Sequence, residues 1–205
     1  LMALIAAICL FFYLPMVEAA SYKILVVMSY EEDNPWCMQI KEGIDSVLAG
    51  DSDIKYFYMD TKKNIEGGVQ KAKDAYELYK RFRPDGVIAA DDNAQSMLVL
   101  PYLKDKVKTP VMFCAVNAEP EKYGYPASNV SGILERDFIS ESIAFAKQLV
   151  PSINTVGFLA KDSPSGRAIP TQVEAEADTY LTKLAGFKLV RTIEETLMVL
   201  EEFQQ

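Results

Sequence analysis

Short apolar runs alternate with longer stretches of helical periodicity along most of the chain. The run at 22–29, YKILVVMS, is apolar at nearly every position, which is typical of a strand buried on both faces. The stretch at 35–49 instead repeats its apolar residues every three or four positions, as one face of a helix does. Asn34 is a suitable N-cap for that helix, because Pro35 stands at the first helical position. The pattern therefore predicts a strand followed by a helix.

The same alternation continues towards the end of the sequence. Apolar runs predict strands at 22–29, 54–59, 86–90, 110–116, 155–160 and 187–192. Helical periodicity predicts helices at 35–49, 65–82, 93–103, 139–149 and 168–184, and a last helix from Glu194. Gly186 fits the C-cap of the helix before it. Strands and helices in alternation, with nearly continuous apolar strands, predict an α/β fold with parallel sheets covered on both faces.

The alternation breaks between residues 117 and 150, where a loop, a strand-like piece at 129–133 and one helix follow each other. The break predicts two separate sheets, four strands in the first and two in the second. Two parallel strands cannot bury both faces of a sheet, so we expect the second lobe to be truncated. The predicted division is a leader at 1–20, an N-terminal α/β lobe at 21–128, a crossover segment at 129–150 and the start of a second lobe at 151–205.

The first twenty residues, LMALIAAICLFFYLPMVEAA, carry no charge before Glu18. An apolar core with small residues near its end is typical of a secretory signal peptide. A retained N-terminal membrane anchor is the alternative, since the apolar run is only slightly shorter than a membrane span. Both alternatives predict a periplasmic or otherwise extracytoplasmic location.

Composition and charge exclude several classes of function. The chain is 50% hydrophobic and 24% charged, which is typical of a globular protein. Its net charge of −8 argues against nucleic acid as a partner. It contains no histidine and no cysteine pair in CxxC spacing, which removes Ser-His nucleophiles and the usual zinc sites. We therefore expect no tightly bound transition metal and no cofactor.

Polar residues follow the predicted strands at their carboxyl ends, where open parallel sheets bind ligands. The turn after the first strand, SYEEDNPW, has no glycine and three carboxylates, so it does not fit a nucleotide phosphate. The candidate ligand-binding residues are Ser29, Tyr30, Trp36, Asp60, Asp91, Asp92, Asn93, Asn117 and Ser163.

Several of these candidates have another explanation. Asp92 or Asn93 suits the N-cap of the next helix, and Trp36 suits the core. Asp91 and Asp92 together also suit an acid–base pair or a Mg²⁺ or Ca²⁺ site.

The order of several segments resembles a known family. These segments are KILVVMSYEEDNPW, FYMDTKK, PDGVIAADDNAQSML, PVMFCAVN, NVSGILERD and DSPSGRA. They resemble the ABC-type substrate-binding proteins of the periplasmic-binding-protein fold. The nearer resemblance is to the branch that serves as extracytoplasmic sensor regions of histidine kinases and diguanylate cyclases. It implies two Rossmann-like lobes that close on a small molecule, with a membrane permease or a fused signalling module as partner. The transport branch usually carries a small Gly- or Thr-containing turn where this chain has Asp91, Asp92 and Asn93.

These observations lead to two functional hypotheses. The first is a non-enzymatic solute-binding or sensory domain that closes on a small polar ligand. Carboxylates beside aromatic rings suit an ammonium group, and free N–H groups at helix starts suit a carboxylate, so an amino acid or related amine is expected. The alternative is an exported α/β hydrolase-like enzyme that uses Asp91 or Asp92. The missing histidine favours binding.

Overall fold

Seven strands form two separate parallel sheets in the computed structural model, which describes residues 21–204. The first sheet has the order β2-β1-β3-β4-β5 and the second pairs β6 with β7. The strands are β1 (Tyr22–Met28), β2 (Ser52–Tyr58), β3 (Gly86–Ala90), β4 (Val111–Val116), β5 (Val130–Leu134), β6 (Thr155–Lys161) and β7 (Lys183–Val190). The prediction of two sheets is confirmed. The predicted leader at 1–20 lies outside the described residues.

Helices follow most of the strands, as the alternation predicts. They are α1 (Pro35–Leu48), α2 (Gly68–Phe82), α3 (Asp91–Ala94), α4 (Ile139–Leu149), α5 (Ile169–Ala175) and α6 (Ile193–Phe203). Helix α3 continues directly into a π-helix at Gln95–Leu103. The predicted N-cap of α1 is confirmed, because the Asn34 side chain accepts a hydrogen bond from the Trp36 N–H at 3.0 Å. Within 21–204, no helix is both long and apolar enough to cross a membrane.

The first sheet is buried on both faces, which explains its nearly continuous apolar strands. Leu25 and Val27 of β1 point to the side that packs against α2 and the π-helix. Val26 and Met28 point to the opposite side and pack against α1. All four side chains are at most 1% exposed. We call this sheet with its helices, residues 22–134, the first lobe.

The second sheet, with α4, α5 and α6, forms the second lobe, residues 139–203. Its core is small and centres on Ile139, Ile143 and Val173, with rings from both strands packed against them. Many large apolar side chains of this lobe and the segment before it remain exposed, including Phe138, Phe145, Leu149, Ile193, Leu197 and Met198.

The predicted helix at 168–184 is too long. Helix α5 ends at Ala175, a single 3₁₀ turn follows, and β7 begins at Lys183. The predicted C-cap Gly186 instead lies inside β7, with a φ of 150° and a shift in the strand register beside it. The pattern of this segment fits both a helix and a strand. Pairing of β7 with β6, which is distant in the sequence, favours the strand.

The strand-like piece predicted at 129–133 is β5, and it belongs to the first sheet rather than to a crossover segment. It pairs in parallel with β4 along the sheet edge. A side chain at Gly132 would collide with the Phe113 carbonyl, so glycine permits this close approach. The chain therefore passes between the lobes at 135–138, directly after a strand end of the first sheet.

Candidate functional site

A cavity of about 340 Å³ lies between the carboxyl ends of the first sheet and the end of β6. Ligand sites of open parallel sheets are found at this edge. Its lining includes five of the nine residues that the sequence singled out: Tyr30, Trp36, Asp91, Asn117 and Ser163. Whether they contact a ligand stays a prediction.

Asp91 is the most buried charged group of the cavity lining, with 2% of its surface exposed. Its carboxylate accepts hydrogen bonds from the Tyr30 hydroxyl at 2.6 Å, the Asn93 N–H at 2.9 Å and the Ser165 hydroxyl at 3.1 Å. Burial raises the pKa of Asp91 to about 6, although these hydrogen bonds oppose the shift. Burial, and then the charge of Asp91, also raises the pKa of Tyr30. At neutral pH the carboxylate is therefore charged without a cationic partner among its hydrogen-bond donors.

Asp92 points away from the cavity and organises the loop after β4. Its fully buried carboxylate accepts hydrogen bonds from the N–H groups of Asn117 at 3.0 Å and Ala118 at 3.2 Å. It also accepts one from the Tyr123 hydroxyl at 2.6 Å. Asp92 therefore fixes the backbone of Asn117, which lines the cavity. Asp91 faces the cavity and Asp92 faces the loop after β4, so the two carboxylates do not form an acid–base pair.

The other predicted residues lie outside the cavity lining. Ser29 is buried, donates to the Ala90 carbonyl and accepts from the Ala94 N–H, so it supports the start of α3. Neither Asp92 nor Asn93 is the N-cap predicted for this helix, since that position is Ala90.

Asn93 and Asp60 have partners within the first lobe. The Asn93 side chain donates to Thr61 at 2.8 Å and is almost fully buried. Asp60 forms an ion pair with Lys71 on α2.

The cavity also brings together residues that the sequence did not single out. Lys62 and Lys161 line it as cations, Glu135 and Asp137 line it as anions, and Ser165 completes the lining beside Asp91. Glu135 follows β5, so recognising that strand as part of the first sheet would have revealed it. Lys62 and Ser165 stand within loops beyond strand ends, where the apolar pattern contains no signal.

The charged and aromatic groups are arranged around the cavity in a definite way. The Lys62 ammonium lies 4.4 Å from the centroid of the Tyr30 ring, whose other neighbour is Trp36 at 5.2 Å between centroids. Lys161 reaches across from the second lobe and donates to the Lys62 carbonyl at 3.0 Å. The cavity therefore brings carboxylates, ammonium groups and aromatic surface together in one space between the lobes.

The residues that the structure describes contain no cluster of three or more histidine, cysteine, aspartate or glutamate side chains that could hold a metal ion. The oxygens of Asp92 already accept three hydrogen bonds. The predicted alternative of Mg²⁺ or Ca²⁺ between Asp91 and Asp92 therefore has no set of converging oxygen ligands.

Comparison with known proteins gives matches to solved structures only. No protein-family profile matches the chain, and no curated protein sequence matches it. An ABC domain in complex with L-Trp from Streptococcus pneumoniae superposes with a TM-score of 0.66 at 20% identity, over 89% of this chain and 62% of that one. An open, ligand-free substrate-binding protein with adhesive properties from Clostridium difficile gives 0.58 at 16% identity, over 88% and 61%.

A leucine-binding protein from Thermotoga maritima is also similar, with a TM-score of 0.58 at 15% identity over 89% of this chain and 54% of that one. The chain thus spans between 54% and 62% of the length of these three solved proteins. The likeness shows the fold. The predicted fold class is confirmed: the chain has the α/β fold of the periplasmic binding proteins.

Proposed function

We propose that the chain is a solute-binding or sensory domain that closes two lobes on a small polar ligand. The observation that carries the proposal is the cavity between the lobes, where charges of both signs lie beside an aromatic pair. Clefts of this size with a few placed polar groups are typical of small-molecule binding. Closure of two lobes on a ligand is a recurrent way to signal its presence.

The ligand we propose is a small zwitterion, an amino acid or a related amine. Asp91 supplies a buried negative charge beside the Tyr30 and Trp36 rings, which together suit an ammonium group. Lys62 and Lys161 supply positive charge for a ligand carboxylate. Two structurally similar proteins were solved with, or are named for, amino acids, namely L-Trp and leucine.

The surroundings of Asp91 and Asp92 favour binding over catalysis. The hydrolase-like alternative needs a carboxylate free to move a proton to or from a substrate. Asp92 points away from the cavity and is held by three donors, while Asp91 would act without any histidine in the chain. The structurally similar proteins named above are binding proteins, which supports the same conclusion.

The proposal extends to the cellular setting. An extracytoplasmic domain of this kind would deliver its ligand to a membrane permease or report it to a signalling module. The apolar segment at 1–20 supports export or anchoring. Sequencing the gene and its neighbours separates uptake, which a permease gene would indicate, from sensing, which a signalling module would indicate.

A ligand panel tests the proposal directly. Purified protein is titrated with amino acids, amines, sugars and organic acids, while thermal unfolding and the emission of Trp36, the only tryptophan, are followed. A ligand at one hundred times its Kd stabilises the folded state by about 2.7 kcal/mol. We expect amino acids or amines to give this effect.

Two variants then locate the site. Asp91→Asn should weaken binding of that ligand at least roughly tenfold, because a charge-assisted contact is lost. Asp45→Asn is the matched control, since Asp45 also accepts a tyrosine hydroxyl, from Tyr56 at 2.7 Å, but lies outside the cavity lining. Equal affinity in the parent and Asp91→Asn would contradict the assignment of the cavity as the binding site.

A further inference from the structure

Three polar groups meet where the two lobes touch. Tyr30 and Asp91 belong to the first lobe and Ser165 to the second. One carboxylate oxygen of Asp91 accepts from the Tyr30 hydroxyl at 2.6 Å and from the Ser165 hydroxyl at 3.1 Å, and the two hydroxyls are 3.2 Å apart. The same oxygen therefore receives hydrogen bonds from both lobes. Three side chains of the protein itself form this contact between the lobes.

The first-lobe half of the contact is fixed by its surroundings. The second carboxylate oxygen of Asp91 accepts from the Asn93 N–H at 2.9 Å, which sets the orientation of the carboxylate. The Tyr30 ring is held between Trp36 and the Lys62 ammonium, and Tyr30 is only 7% exposed. The acceptor is therefore already aimed at the second lobe.

The second-lobe half is fixed by a tight turn. The Gly166 N–H donates to the Ser163 side chain at 3.1 Å, and the Ala168 N–H donates to the Ser165 carbonyl at 2.9 Å. A side chain at Gly166 would place its Cβ 2.0 Å from the Lys161 carbonyl oxygen, so this turn requires glycine. The Ser165 hydroxyl is thus presented by a backbone that has little freedom to move it.

A second bond crosses between the lobes at the same cavity. The Lys161 ammonium donates to the Lys62 carbonyl at 3.0 Å. Lys161 is exposed, so this bond competes with water, whereas the oxygen of Asp91 that receives Ser165 is buried. The hydrogen bond from Ser165 to Asp91 is therefore the stronger of the two connections, because its acceptor is charged and shielded from solvent.

We propose that Ser165 is a positioning residue whose hydroxyl, bonded to Asp91, forms a latch that sets how far the lobes close before any ligand binds. The proposal rests on the proposed function in treating closure as the event that captures ligand, but the latch itself needs no ligand. A population of closed lobes before binding raises the apparent affinity, since less of the binding energy is used to close them. Loss of the latch should therefore leave the cavity intact but open more often.

The test uses Trp36, which lines the cavity and is the only tryptophan of the chain. Acrylamide quenching of its fluorescence is measured without ligand on the full chain, together with the radius of gyration from small-angle X-ray scattering. Ser165→Ala should increase both quantities. Ser165→Thr, which keeps a hydroxyl, should return quenching towards the parent value.

The matched control is Ser140→Ala. The Ser140 hydroxyl is bonded to that of Thr179 at 2.7 Å within the second lobe, so its loss removes a hydrogen bond without touching the other lobe. Quenching and radius of gyration should match those of the parent. Where a ligand is found, Ser165→Ala should weaken its binding roughly tenfold, the effect of one hydrogen bond to a charged group.

A second pair of variants keeps the test decisive if the Ser165→Ala protein does not fold. Asp91→Asn removes the charge that makes Asp91 a strong acceptor for the Ser165 hydroxyl, and Asp45→Asn removes the charge of a tyrosine–aspartate bond within the first lobe. Scattering should show opening for Asp91→Asn only. Unchanged quenching and scattering in both Ser165→Ala and Asp91→Asn would overturn the latch, even if ligand binding is confirmed. Opening of the lobes in these variants with no ligand found would leave the latch standing and count against the proposed function.

Discussion

Asp91 and Asp162 both stand at strand ends, one in each lobe, yet their surroundings are opposite. Each directly follows a strand of a parallel sheet, β3 for Asp91 and β6 for Asp162. Hydroxyl and N–H groups surround Asp91, and burial raises its pKa to about 6. Hydrogen bonds from Arg167 at 2.5 Å and Arg191 at 2.6 Å lower the pKa of Asp162 to about 2. A carboxylate at a strand end thus carries an unneutralised charge in the first lobe and a neutralised charge in the second.

This contrast indicates which of the two carboxylates, Asp91 or Asp162, would be available to bind a ligand. The charge of Asp162 is already paired with two guanidinium groups, so it stabilises its own loop. The charge of Asp91 has no cation bonded to it, and a ligand ammonium would relieve the unfavourable burial that raises its pKa. The two lobes also differ in packing. The first is closely packed on both faces of its sheet, whereas the second leaves much apolar surface exposed.

The largest expected difference lies between a buried leucine of the first lobe and a leucine that the second lobe leaves exposed. Leu98→Ala, at a residue that is 1% exposed in the first lobe, should lower the free energy of unfolding by about 3–4 kcal/mol. Leu197→Ala, at a residue that is 56% exposed on α6, should lower it by less than about 1 kcal/mol. Urea unfolding of both variants and the parent measures this. Equal losses would show that Leu197 is buried in solution rather than exposed.

The next difference is the pH dependence of stability. The folded-state pKa of Asp91, about 6, lies above its ordinary value of 3.8, so the folded state binds more protons between these pH values. The contribution of Asp91 to the free energy of unfolding should therefore fall by about 2–3 kcal/mol as pH rises from 4 to 7. Asp91→Asn should remove this fall when compared with the parent by urea unfolding.

Asp162 should behave in the opposite way. Its folded-state pKa of about 2 lies below the ordinary value of 3.8, so its stabilising contribution is present above pH 4 and is lost as pH falls through 2. Asp162→Asn should destabilise the protein at pH 6, less at pH 3 and least near pH 2, by the same measurement. The same sign of pH dependence in both variants would contradict the contrast between the two sites.

The smallest expected effects come from the helix caps. Asn34 caps α1 in the first lobe and Thr192 caps α6 in the second, each by accepting a backbone N–H. Asn34→Ala and Thr192→Ala should each cost about 1 kcal/mol in thermal unfolding. Asn34→Asp and Thr192→Ser keep an acceptor and serve as controls. We expect the loss at Thr192 to be the smaller one, because the helix that it caps has no buried residue.

The sequence predicts those features that depend on local pattern. Strand β3 follows from its apolar run at 86–90, and the cap of α1 from Asn34 and Pro35. Two features were misassigned because non-local pairing decides them. Strand β5 joins the first sheet through β4, and β7 takes residues with helical periodicity into a strand against β6.

The positions of the site residues were likewise predictable only where the local pattern determines them. Tyr30, Asp91 and Asn117 could be found because they stand at strand ends, which the apolar pattern locates. Asp92 follows the same strand, but its side chain points to the loop after β4, and periodicity does not encode where the first residues of the next helix direct their side chains. Ser165 lies in a second-lobe turn whose distance from Asp91 depends on how the lobes meet.

The exposed apolar side chains of the second lobe have a consequence for the colloidal behaviour of the protein. Phe145, Leu149 and Ile193 are each more than half exposed, and surfaces of this kind attract one another in concentrated solution. The net charge of −8 opposes that attraction at neutral pH through repulsion between molecules. Salt screens the repulsion within about 10 Å at 0.1 M ionic strength. Concentrated samples should therefore remain clear longest in dilute buffer well above the isoelectric point of about 4.7.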